Sequence, residues 1–131
     1  LGDANIIEGI VERKEEGGTV IRAGGFSLTA ADDHGQLRAG DHALLGLRPE
    51  NIEIAQNDAR SADNAIPAVV TDVIFKGSNV TYYLRAGEYE ILVLSLPWMS
   101  ERLYSEGEQV QLLCSKSSLL ILEEDRETVD A

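Results

Sequence analysis

His34 and His42 stand eight positions apart with Asp32, Asp33 and Asp41 around them, and imidazole with carboxylate is a donor set that takes divalent metal ions. Against that reading, Asp32-Asp33-His34-Gly35 has the composition of a polar turn, with no second His or Cys at ligand spacing inside it. The turn is the preferred reading. Cys114 is the single cysteine and cannot form an intrachain disulfide. It ends the run Val110-Gln111-Leu112-Leu113-Cys114, where a buried strand thiol is expected rather than a nucleophile. The carboxylate runs Glu15-Glu16 and Glu123-Glu124-Asp125 fall at strand ends or in a tail, so no general acid and base can be paired. A Gly-x-x-x-x-Gly-Lys-Ser/Thr loop for nucleotide phosphates is missing from the sequence. The chain is therefore expected to be no enzyme, and to carry no metal or cofactor of its own.

What remains is chemistry of contact. Asp3 and Asn5 have the short polar side chains that bond to nearby backbone and fix a junction. In Arg48-Pro49-Glu50, proline pushes Arg48 into extended backbone and ends a hydrogen-bond ladder, and Glu50 stands close enough for a local ion pair. The motif reads either as a turn lock or as a pair projecting Arg48 and Glu50 toward a partner, and both readings stand. Tyr82 and Tyr83 must point to opposite faces of one strand, so one belongs to the core and the other is free for an interface or ligand.

The elements that hold these residues are strands, because apolar residues recur with period two between glycines. Strands are expected near residues 6–14, 19–23, 26–29, 42–48, 52–55, 66–75, 79–85, 88–94, 109–115 and 119–123. Glu16-Gly17-Gly18, Gly24-Gly25 and Lys76-Gly77-Ser78 supply hairpin turns. One short helix is expected at Pro97–Tyr104, with Trp98, Leu103 and Tyr104 facing inward. The sequence also repeats. An offset of 59 places Ile7 on Ile66 and Ile10-Val11 on Val69-Val70, and an offset of 67 places Gly40-Asp41 on Gly107-Glu108 and Ile52 on Leu119. The expected organisation is a first half at 1–55, a linker at 56–64, a second similar half at 65–123 and an acidic tail at 124–131. The fold class is all-β, a barrel or sandwich, and a duplicated small barrel is the simplest cause of the repeat.

Leu1-Gly2-Asp3-Ala4-Asn5, then Leu45-Gly46-Leu47-Arg48-Pro49-Glu50, then Val73-Ile74-Phe75-Lys76-Gly77, resembles the TOBE-type C-terminal domain of ATP-binding subunits in ABC importers. Members of that family serve polyamines, ferric iron, sulfate and sugars, and the Gly2-to-Asn5 opening is most similar to the polyamine type. The resemblance spans roughly residues 1–123. It implies that the two similar halves are OB-like barrels in a TOBE/MOP-like fold, and it implies a regulatory and dimerising role and a homodimer of cytoplasmic subunits at the inner face of the membrane. It also implies membrane permease partners and a preceding ATPase domain holding ATP and Mg. A chain that starts at Leu1 rather than Met is read as a piece excised from such a protein. Asp3, Asn5, Arg48, Glu50, Tyr82 and Tyr83 are the interface candidates.

Composition sets the alternatives. With 11 basic against 23 acidic residues the formal charge is −12, which repels phosphate backbones and anionic lipid alike. Arg13, Lys14, Arg22, Lys76 and Arg85 are scattered among more numerous acids, so an OB-type nucleic-acid binder ranks behind the regulatory reading. A small-ligand sensor, for an oxyanion or a polyamine-like cation, is the other alternative.

Overall fold

The computed structural model describes residues 4–31, 35–56, 62–96 and 102–122. Asp3, the Asp32-Asp33-His34 turn, residues 57–61 of the linker, Pro97 and Trp98 of the expected helix, and the acidic tail lie outside these. The described residues form strands β1 (Asn5–Glu15), β2 (Gly18–Ala23), β3 (Phe26–Ala30), β4 (His42–Leu47), β5 (Glu53–Ala55), β6 (Asn64–Lys76), β7 (Asn79–Ala86), β8 (Tyr89–Ser95), β9 (Gln109–Cys114) and β10 (Leu120–Leu122). Two 3-10 turns, Pro49–Asn51 and Lys116–Ser118, precede β5 and β10. Of the expected helix, residues 102–104 are irregular: the Tyr104 N–H donates to the Tyr82 hydroxyl at 3.2 Å rather than to a helical carbonyl.

The strands build two five-stranded antiparallel sheets, ordered β10-β4-β1-β2-β3 and β5-β9-β6-β7-β8. The last strand of each sequence half is exchanged: β5 pairs with β9, and β10 pairs with β4. Neither sheet is complete without three residues from the other half. Alternation drives the burial. Along β1, Asn5, Ile7, Gly9 and Val11 point inward while Ile6, Glu8, Ile10 and Glu12 face out. Gly9 is required by a close crossing, since a Cβ there would stand 2.5 Å from the Arg22 carbonyl oxygen and 2.7 Å from Ile21 Cγ2.

The repeat is visible in individual bonds. β1 carries a bulge between Val11 and Arg13, and β6 carries one between Val70 and Asp72. At the first, Gly40 N–H donates to Val11 O and Val11 N–H to Asp41 O, both at 2.8 Å. At the second, Gly107 N–H donates to Val70 O at 2.7 Å and Val70 N–H to Glu108 O at 2.9 Å. Asp41 and Glu108 each then accept a backbone N–H three residues upstream, from Arg38 and Ser105.

Candidate functional site

The two halves meet along a seam closed by a pair of asparagines. Asn5 opens β1 and Asn64 opens β6, at inward positions where an amide must satisfy both its donors and its acceptor. Asn5 Nδ2 donates to Leu92 O at 2.9 Å and to Leu47 O at 3.2 Å, and its Oδ1 accepts from Leu92 N–H at 2.8 Å. Asn64 does the same to the opposite hairpin: Nδ2 donates to Thr29 O at 2.9 Å and Oδ1 accepts from Thr29 N–H at 2.7 Å. Each side chain extends the edge strand of the other half, β8 or β3, with a strand-like pair of bonds. Tyr89 on β8 adds to the seam, its hydroxyl donating to Glu8 O at 2.7 Å and its ring set edge-on to Phe26 at 6.1 Å.

Arg48 is extended, at φ −74° and ψ 138°, and β4 ends just before it, as the following proline dictates. The expected ion pair is not formed: among the described residues no salt bridge joins Arg48 to Glu50, and the turn closes through Asn51 N–H donating to Arg48 O at 3.0 Å. The 3-10 geometry aims Glu50 into an open groove of about 590 Å³ instead. Its floor includes Ile52, Leu113 and Cys114, and Glu50, Glu53 and Asp63 supply carboxylates along it. Asp63 is also structural, accepting Lys116 N–H at 2.9 Å. Burial pushes the Cys114 thiol up to about 11, so this groove thiol stays protonated near neutrality.

Tyr82 is the core member of the tyrosine pair, 1% exposed, and packs edge-on against Tyr104 at 6.1 Å. The Tyr104 hydroxyl donates to Ile54 O at 3.2 Å, which ties β5 to its adopted sheet. Burial raises the Tyr104 phenol above its usual value, opposed by the Arg102 guanidinium 4.3 Å over its ring. Glu108, which bonds Arg102, is held below the usual carboxylate range, first by the Ser105 N–H and then by that guanidinium. Tyr83 lies half-buried on the outer face beside Leu92. The interface candidates are thus spread out: Asn5 in the seam, Arg48 and Glu50 at the groove end, Tyr83 on the β7–β8 face, Tyr82 in the core. Asn64 escaped the sequence reading, although the offset of 59 maps Asn5 directly onto it.

No group of three or more His, Cys, Asp and Glu placed to hold a metal occurs among the described residues. No helix among them is long and apolar enough to cross a membrane.

Paired sheets that exchange a strand across a polar seam define a duplicated, OB-like all-β module. The chain belongs to the TOBE-domain family, whose model matches residues 45–122. It is 38% identical over 88 residues to the spermidine/putrescine import ATP-binding protein PotA of Rubrobacter xylanophilus, covering 66% of this chain and 22% of that protein. To PotA 1 of Pseudomonas aeruginosa it is 26% identical over 123 residues, covering 93% of this chain and 32% of the relative. The chain thus spans between a fifth and a third of these relatives, matching their C-terminal region. A crystal structure of the cytoplasmic molybdate-binding protein ModG with molybdate bound superposes at a TM-score of 0.77, over 92% of this chain and 96% of that one, with 18% identity. At that identity the likeness is one of fold.

Proposed function

We propose that this chain is the C-terminal regulatory and dimerisation domain of an ABC importer's ATP-binding subunit, of the polyamine type. The observation that carries this reading is the match of nearly the whole chain to the C-terminal region of a spermidine/putrescine import ATP-binding protein. The domain does no chemistry itself. ATP and Mg belong to a preceding ATPase domain, and the assembled subunits work in the cytoplasm against membrane permeases. The outer β7–β8 face contributes to dimerisation, with Tyr83 opposite Leu92 and Leu94 opposite the already buried Thr81. Leu92 and Leu94 are half-buried, while Ile91 and Val93 fill the core behind them. Like charges oppose pairing at −12 per chain, so association should strengthen from low to moderate salt. Sedimentation giving a monomer at high micromolar concentration in both conditions would remove the dimerising role.

A second reading is favoured by the groove, whose Glu50, Glu53 and Asp63 carboxylates suit an amine ligand better than an oxyanion. Titration calorimetry of the chain against Mg-ATP, spermidine, molybdate and a single-stranded oligonucleotide separates the possibilities. The regulatory reading expects no heat from any of them. Saturable heat with spermidine, lost in Glu50→Gln, makes the domain a sensor, and heat with Mg-ATP overturns the primary reading.

A further inference from the structure

The outer face of the first sheet carries large aliphatics at four positions where the equivalent face of the second carries small or polar residues. Across the strands, Ile6 stands in register with Gly46 and Leu120, and Glu8 with Leu44 and Leu122. Ile6, Ile10 and Leu120 are 48%, 46% and 49% exposed, and Leu44 and Leu122 are half-buried around Gly46. The offsets of 59 and 67 put Ala65 at the place of Ile6, Gln111 at that of Leu44, and Glu53 and Ala55 at those of Leu120 and Leu122, while Val69 keeps an aliphatic at the place of Ile10 and Leu113 takes that of Gly46. At four positions one backbone pattern thus carries large aliphatics in the first half and small or polar residues in the second. The fold does not require the aliphatics at these four positions, and an apolar patch of this size on a monomer surface is often functional.

The size of the patch selects its occupant. Five aliphatic side chains around a glycine expose on the order of 300 Å², whereas independent partners bury about 800 Å² each in a stable complex. A free second copy is poorly served by so little surface. A neighbour on the same chain needs less, because the tether supplies a high effective concentration. Residues 123–131 are no match, with five acids and Val129 as their one large apolar side chain. The patch instead includes the start of β1, the strand nearest Leu1, and about two thirds of the Pseudomonas relative lies outside the matched region. We infer that this face docks on the ATP-binding domain that precedes Leu1 in the parent subunit, an inference that rests on the function proposed above.

Thiol labelling tests it. Leu120→Cys is introduced into the 131-residue chain and into the full subunit, and labelling is read by tryptic mapping, since cleavage after Lys116 separates position 120 from Cys114. Position 120 should label at least tenfold more slowly in the full subunit, as should Ile6→Cys, which probes the same face if the first variant folds poorly. Phe75→Cys, 66% exposed at the β6–β7 hairpin, should label equally in both. Equal rates at positions 6 and 120 in a subunit that hydrolyses ATP would overturn the docking and leave the parent reading intact. A subunit with no ATPase ahead of Leu1 overturns the parent reading and the docking with it. Protection that disappears on dilution to the monomer assigns the face to a second copy and also overturns the inference.

Discussion

Replacing Asn5 with alanine removes three hydrogen bonds at once: two donated to Leu92 O and Leu47 O, and one accepted from Leu92 N–H. Asn5 is 7% exposed, so water replaces these bonds incompletely. At about 1 kcal/mol net per bond, the loss should be about 2–3 kcal/mol. Asn64→Ala loses two bonds to Thr29 and should cost about 2 kcal/mol by the same reasoning. With a urea m-value of about 1–2 kcal/mol/M, the Asn5 variant should unfold at a midpoint lower by roughly 1.5 M, with the slope unchanged. The two sites bond different hairpins and share no partner, so the double variant should lose the sum to within about 0.5 kcal/mol. Asn5→Asp keeps the acceptor but sets a buried carboxylate oxygen against the Leu92 and Leu47 carbonyls, and should cost at least as much as alanine. A loss below about 0.5 kcal/mol for both alanine variants would refute the reasoning, because the edge strands would then be held by packing alone.

Gly9→Ala drives a Cβ into the Arg22 carbonyl and should lower stability by about 2–3 kcal/mol, read as a fall in Tm. Cys114, its thiol raised to about 11, should resist alkylation at pH 8 in the folded chain and react promptly in denaturant. Glu108 is depressed in the folded state, so its contribution is present above the ordinary glutamate value and lost as pH falls through the folded one. Glu108→Gln should therefore flatten the acid limb of a stability-against-pH curve, and an unchanged limb would contradict the assignment. Because β5 and β10 are exchanged, residues 1–56 and 65–131 should each be unfolded alone by circular dichroism and regain strand signal only when mixed.

The strands and hairpins were legible because each has a local signal, period-two alternation in β1 and β6 and glycines at turns such as Gly17, Gly24 and Gly77. The duplication was legible for the same reason, since Gly40-Asp41 and Gly107-Glu108 close the same bulge. The exchange of β5 and β10 was not. Glu53–Ala55 reads identically whichever sheet it joins, and the choice depends on where a 3-10 turn aims the chain. Sequence also could not decide whether Arg48-Pro49-Glu50 is a turn lock with a local ion pair or projects Arg48 and Glu50 toward a partner. Proline fixes the backbone, but an exposed carboxylate goes where the groove geometry leaves it. Which tyrosine was buried awaited the register of β7, which turns Tyr82 inward beside Val93.

The most direct test of the proposed role is ATP hydrolysis by the reassembled importer, measured with the whole ATP-binding subunit and with one truncated before Leu1. The truncated subunit should still hydrolyse ATP in isolation but should lose permease-dependent control of the rate, and its mass should no longer indicate a stable dimer. Identical rates, control and mass for the two subunits would contradict a regulatory and dimerising role for this domain.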